Sequence, residues 1–174
     1  MQVLNVNEAP TRVSLSPATV PENATQSTIV GILTTADVDA GDTFTYSILR
    51  DSGSQSGAFA VQGDRVVVME TALINYEFGN PEHRLTITSQ DAGGLTVRQT
   101  VVVSVTDVND APSSLTLSRN TLPESSPTQQ HIGTLAVIDE DVGQQHVFVL
   151  ERNAGPGGGL FGISGSNLVF IGQP

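Results

Sequence analysis

Short acidic motifs recur along this chain at one fixed spacing, and their residue types suit the binding of hard metal ions. Asn5-Val6-Asn7-Glu8-Ala9-Pro10 returns 102 residues later as Asp107-Val108-Asn109-Asp110-Ala111-Pro112. At the same offset Pro21-Glu22 returns as Pro123-Glu124, and Asp37-Val38-Asp39-Ala40-Gly41 as Asp139-Glu140-Asp141-Val142-Gly143. Carboxylates and amide carbonyls are oxygen donors of the kind that hard divalent cations take. A single acidic patch is commonly no more than a solvated surface. Acids that return in register with a domain period point instead to metal ions held between domains, which is a binding and architectural signature rather than a catalytic one.

The period also sets the organisation of the chain. Residues 5–72 and 107–174 align without a gap and agree at 20 of 68 positions, as expected for a tandem array of one domain type. A unit of about a hundred residues can bury its own core. We expect residues 1–9 to be the tail of a preceding repeat with its linker, 10–110 a complete repeat, and 111–174 a truncated second one. Met1 to Asn5 matches Val103 to Asp107, and the counterpart of residues 73–112 is missing after Pro174, so the expectation is a piece of a longer array.

Composition narrows the classes. Eighteen Asp and Glu stand against seven Arg and no Lys, for a net charge of −11, and such a surface repels nucleic acid and anionic lipid. Cysteine is absent, so disulfides cannot brace the fold and a metal is the alternative brace in an oxidising compartment. The apolar runs are far too short for a membrane span or a secretory signal.

The elements that must position these motifs read as strands. Val97, Gln99, Val101, Val103 and Val105 alternate along one stretch; Phe44, Tyr46 and Ile48 do so along another, and Leu85 and Ile87 along a third. Further runs at Val13–Leu15, Ile29–Leu33, Phe59–Val61 and Val66–Met69 bring the count to about seven strands per repeat, separated by turn-rich segments such as Asp51-Ser52-Gly53-Ser54 and Asp91-Ala92-Gly93-Gly94. Thr71–Tyr76 has room for one short turn. This pattern predicts an all-β, seven-stranded Greek-key antiparallel β-sandwich of immunoglobulin-like type, repeated in tandem.

The motifs in their order resemble the cadherin family. Cadherin repeats carry a proline-glutamate motif, a DxD, an LDRE-like motif, an AxDxG and a DxNDNAP linker. Here these stand as Pro21-Glu22-Asn23, Asp37-Val38-Asp39, Ile74-Asn75-Tyr76-Glu77, Asp91-Ala92-Gly93 and Asp107-Val108-Asn109-Asp110-Ala111-Pro112. The resemblance implies three calcium ions at each junction between repeats. The ligands it implies here are Glu22, Asn75 and Glu77 from the first repeat, Asp107, Asn109 and Asp110 from the linker, and Asp139 and Asp141 from the second repeat. At the other end of the first repeat it implies half a junction, with Asn5, Asn7 and Glu8 in the linker and Asp37, Asp39 and Asp91 in the domain; Glu124 is half of a following one. Asn75 replaces the family's usual aspartate and the linker lacks its second Asn, so the outermost site is expected to be weaker.

Other chemistries find no support. His83, His131 and His146 share no ligand spacing, no serine sits in a G-x-S-x-G elbow, and Gly155-Pro156-Gly157-Gly158-Gly159 lacks the Lys-Ser/Thr of a phosphate loop and reads as a flexible connection. Carboxylate pairs that repeat with the domain are not expected to form a glycosidase site, so no enzyme is expected. The expected function is a calcium-binding extracellular repeat that stiffens on binding Ca²⁺ and supports cell adhesion or surface display. The alternatives are a calcium-dependent polysaccharide-binding module or a passive stalk in a secreted protein. Expected partners are calcium ions and, beyond them, other copies of the protein, a cell-surface protein or a glycan. Phe and Tyr mostly fall on strand alternations and so read as core, with no exposed anchor. A second sandwich lacking its last two strands would leave open sheet edges, so residues 113–174 are expected to be poorly ordered or completed by another copy.

Overall fold

Valine, isoleucine and threonine at alternate positions give most strands of this chain one apolar and one polar face, and paired sheets bury the apolar faces against each other. The structure, a computed structural model, describes residues 4, 6–49, 55–79, 81–151 and 159–172; Asn5, the turn expected at Asp51–Ser54 and most of the glycine-rich run lie outside them. The chain divides into two units, Met1–Val108 and Asn109–Pro174.

The described residues of unit 1 form eight strands: β1 (Arg12–Ser16), β2 (Thr19–Pro21), β3 (Ile29–Ala36), β4 (Thr45–Ile48), β5 (Phe59–Gln62), β6 (Arg65–Val68), β7 (Glu82–Gln90) and β8 (Thr96–Thr106). They form two four-stranded sheets, β1-β3-β6-β5 and β2-β8-β7-β4. All pairings are antiparallel except that of β2 with β8, which is parallel. The sandwich expected from the sequence is therefore present. Its first strand is divided, β1 lying in one sheet and β2 in the other, which is why the count rises from seven to eight; three residues are too few to show a period of two. The short turn expected at Thr71–Tyr76 begins as a 3₁₀ turn over Thr71–Leu73, and a second 3₁₀ turn at Gln55–Ala58 was not foreseen.

The alternations and apolar runs read as strands supply the core, in which Val13, Val30, Leu33, Phe59, Val66, Leu85, Ile87 and Val103 are at most 2% exposed. His83 joins them on β7, its ring edge-on to Phe59 at a centroid distance of 5.1 Å. At Gly31 the strand β3 carries an irregularity in its pairing with β6, and a Cβ there would run into the backbone carbonyl oxygen of Pro17. Gly133, its counterpart 102 residues on, meets the backbone of Arg119 in the same way. Because backbone cannot yield as a flexible side chain can, Gly31→Ala is expected to cost about 1–3 kcal/mol, which a shift in thermal unfolding would register. An unchanged melting temperature would show that the first strand has room to move.

Unit 2 contains β9 (Ser114–Leu117), β10 (Gln130–Ile138), β11 (Phe161–Ser164) and β12 (Asn167–Phe170), in the order β11-β12-β10-β9. This is the β5-β6-β3-β1 sheet of unit 1 shifted by 102 residues. The registers match pair for pair: Val13↔Thr35 becomes Leu115↔Val137, and Phe59↔Val68 becomes Phe161↔Phe170. Val147–Leu150, the counterpart of β4, is not a strand.

Candidate metal centre

The carboxylates of unit 1 gather at its two ends, because strand termini deliver them there. Glu22 follows β2, Asp107 follows β8, and Glu77 stands after the 3₁₀ turn Thr71–Leu73; one oxygen from each lies within 4.8 Å of the others. Asp37 follows β3, Asp42 precedes β4 and Asp91 follows β7, and these three meet the same criterion. The eleven residues of β8 separate the two ends by about 35 Å at roughly 3.3 Å per residue.

At the first end Glu22 is the organiser. Its side chain is buried, 8% exposed, and its two oxygens accept the backbone N–H of Tyr76 and of Val108, each at 2.7 Å. One carboxylate thereby ties the segment carrying Glu77 to the end of the unit. Burial pushes its pKa up, but the two N–H donors outweigh burial and hold it below the ordinary 4.5. Glu77 moves the other way: desolvation raises it above 4.5, and the neighbouring Glu22 and Asp107 charges add to the rise. Asn75 shapes the turn between them, its side-chain oxygen accepting the N–H of Phe78 at 2.6 Å and its carbonyl that of Gly79 at 2.9 Å.

At the second end the linker folds onto the aspartates. Glu8 N–H donates to Asp39 Oδ2 at 2.7 Å, Asp39 N–H donates to Asp37 Oδ1 at 3.1 Å, and the Asn7 amide donates to Asp91 Oδ2 at 3.1 Å. Asp91 also accepts Leu95 N–H at 2.8 Å, closing the β7–β8 turn, and is 5% exposed. Asp42 is the residue the sequence reasoning missed. Its pKa is raised above 3.8 by desolvation and then by Asp39, Asp37 and Asp91. The signal is present as three aspartates in six residues, but the counterpart of Asp42 in the second repeat is Gln144, so this acid does not recur.

Unit 2 reproduces this geometry. Asp110 N–H donates to Asp141 Oδ2 at 2.7 Å, and Asp141 N–H to Asp139 Oδ1 at 3.1 Å, the same bonds at the same lengths as their counterparts. Gln144 donates its amide to the Asn109 side-chain oxygen at 2.7 Å, and His146 Nε2 lies 3.6 Å from Asp139 Oδ2. Glycines at 41 and 143 take the left-handed conformation, φ 93° and 88°, in the turn after each Asp-x-Asp, where only glycine sits without strain.

The donor set fits a hard divalent cation. Among the described residues Asp37 Oδ2, Asp42 Oδ2 and Glu77 Oε2 are buried oxygens without a hydrogen-bond partner, each beside other carboxylates. Buried acceptors of like charge are costly unless a cation joins them. The raised and lowered groups give a pH dependence for the metal-free protein. Glu77 and Asp42 bind protons more tightly folded than unfolded, so stability rises as pH falls from neutrality toward their pKa values. Glu22 is held low, so its stabilisation is lost only as pH falls through its still lower folded value. Thermal unfolding in chelator is thus expected to move to higher temperature as pH is lowered from neutrality into the range where Glu77 and Asp42 take up protons; a melting temperature that only falls on acidification would contradict this electrostatic picture.

One expectation about aromatic residues is corrected. Phe78 is 79% exposed and Tyr76 39%, because the turn fixed by Asn75 and Glu22 turns this stretch away from the core.

An all-β sandwich with acidic ends spaced by one repeat defines the class of protein, and comparison with known proteins agrees. No protein-family model matches the chain. Human protocadherin beta-1 is 29% identical over 146 residues, which make up 80% of this chain and 18% of that protein. Among solved structures, human protocadherin-24 EC1-2 superposes with a TM-score of 0.71 at 22% identity, covering 97% of this chain and 80% of that one. The human desmocollin-1 ectodomain gives 0.58 at 24% identity, over 95% of this chain and 34% of that one. The chain has the fold of cadherin-like repeats. No helix among the described residues is long and apolar enough to cross a membrane.

Proposed function

We propose that this chain is a calcium-binding cadherin-like module in which Ca²⁺, held by the acidic ends of consecutive repeats and the linker joining them, stiffens the array, and that the array serves cell adhesion or surface display outside the cell. The observation that carries the reading is the set of Glu22, Glu77 and Asp107 oxygens within 4.8 Å of one another at the end of unit 1 that leads into the linker. Asn109, Asp110, Asp139 and Asp141 complete the ligand set in this reading, with Asn75 contributing a neutral oxygen. Six of these eight residues are carboxylates, and three divalent ions neutralise six charges. At the other end Asp37, Asp39 and Asp91, with Asp42 added, hold the domain's half of a second junction. Like charges this close repel in the absence of a cation, so the metal-free linker is expected to be flexible.

Adhesion is supported by the likeness to protocadherin and desmocollin ectodomains and is tested by aggregation of protein-coated beads. Clustering in calcium that reverses in chelator supports it, and beads that stay dispersed in both refute an adhesive role for this segment. Phe78 favours a second reading, a calcium-dependent polysaccharide-binding module, since a flat exposed aromatic ring is a platform for sugars. Binding on a glycan array that is lost in Phe78→Ala would decide for that reading; its absence leaves the passive stalk as the remaining alternative to adhesion.

A further inference from the structure

Asn23 closes the Pro21-Glu22-Asn23 motif, yet calcium binding leaves it without a role. Pro21-Glu22 returns as Pro123-Glu124, but Ser125 takes the position of Asn23, so the amide is not needed wherever the glutamate is. The residues that follow give Asn23 another chemistry. Asn23-Ala24-Thr25 is an Asn-x-Thr tripeptide without proline at its centre, and of the nine asparagines in the chain only this one has a serine or threonine two residues on. Such a tripeptide is an acceptor for N-linked glycosylation when it lies on the surface of a secreted protein.

The fold presents the tripeptide as an acceptor requires. β2 ends at Pro21, and Ala24 N–H donates to the Pro21 carbonyl at 3.0 Å, closing a tight turn with Asn23 inside it. Ala24, 8% exposed, packs into the core and anchors the turn, whereas Asn23 and Thr25 on either side of it are exposed. Among the described residues no hydrogen bond holds the Asn23 side chain, so its amide can carry a bulky group without loss of a contact. β2 is also an edge strand of its sheet, and a hydrophilic group on the turn that ends it obstructs pairing of that edge with another chain.

We infer that Asn23 is a site of N-linked glycosylation, which rests on the extracellular location proposed above. The co-reactant is an oligosaccharide carried on a lipid pyrophosphate. The bond from its anomeric carbon to the phosphate oxygen breaks, a bond from that carbon to Asn23 Nδ2 forms, the lipid pyrophosphate leaves with the bonding electrons, and the amide gives up one proton to solvent.

The test is expression of the 174-residue chain in cultured human cells behind a cleavable secretory signal, with protein recovered from medium and cell extract alike so that retention does not conceal the result. The expected product is heavier than 18.2 kDa and returns to that mass with peptide-N-glycosidase F, which converts Asn23 to Asp in the peptide mass spectrum. The added mass is expected to vanish in Asn23→Gln and in Thr25→Ala and to persist in Thr25→Ser, which keeps the acceptor hydroxyl. Thermal unfolding of Asn23→Gln is expected to match that of the unglycosylated wild type, which verifies the fold. An unmodified wild type, or a glycan that survives Asn23→Gln, overturns the site and leaves the extracellular reading standing. A native protein confined to the cytosol overturns both.

Discussion

Glu22→Ala is expected to lower the stability of the protein by about 2–4 kcal/mol and to abolish its response to calcium. Two backbone donors, the N–H groups of Tyr76 and Val108, lose the carboxylate that accepts them at 2.7 Å, and a donor left unpaired costs about 1–3 kcal/mol when buried and less where water reaches it. The loss is partly offset because Glu77 is relieved of a like charge. In a domain of this size the net change lowers the melting temperature by on the order of 10 °C. Glu22→Gln separates the two roles: it keeps the shape and one acceptor but removes the charge, so it is expected to retain part of the stability while losing much of the calcium response. A shift below about 2 °C in Glu22→Ala would mean that the Glu77 segment is held by other contacts and that Glu22 does not organise the site.

Calcium is expected to raise the melting temperature of metal-stripped protein strongly. A ligand that binds only the folded state contributes about 2.7 kcal/mol when present at a hundredfold over its dissociation constant, and each further ion adds a comparable amount. Glu77, whose carboxylate is held above its ordinary pKa by desolvation and by Glu22 and Asp107, changes from a source of repulsion to a ligand. Magnesium at the same concentration is expected to do much less, because it demands a tight octahedron and gives up its water reluctantly, whereas calcium accepts a crowded, irregular set of carboxylates. Sodium chloride screens the charges without coordinating them, so its effect is expected to be small. Equal shifts with all three salts would reduce the acidic ends to a general electrostatic strain with no specific site.

The sandwich could be read from the sequence because alternation is a local signal: Leu85 and Ile87, or Val101, Val103 and Val105, declare a buried face without reference to any partner. What was not legible depended on tertiary contacts. β2 exists because Thr19–Pro21 falls beside the end of β8, and nothing in three residues announces that. Gly31 and Gly133 recur in the sequence, but that they sit in a strand against another backbone, rather than in a turn, appears only when the chain is folded. The acidic ends are legible in part through repetition, at Glu22, Asp37 and Asp39, and otherwise through the family motifs that hold Glu77 and Asp91; repetition conceals Asp42, whose counterpart is uncharged. Asn75 was read as an oxygen donor to metal from its place in a motif. The bond from Phe78 N–H shows that its oxygen also fixes a turn, a role that spacing alone does not reveal. Phe78 departs from the general reading of the aromatics as core and lies outside because that turn faces solvent.

The central claim, that these carboxylates bind calcium at the end of the first repeat and its linker, is tested most directly by calorimetric titration of metal-stripped protein with calcium beside an Asp107→Asn/Asp110→Asn variant. The account predicts saturable binding by the wild type and the loss of at least one ion in the variant, with the fold of both intact by circular dichroism. Absence of binding at millimolar calcium, or identical isotherms for the two proteins, would contradict it.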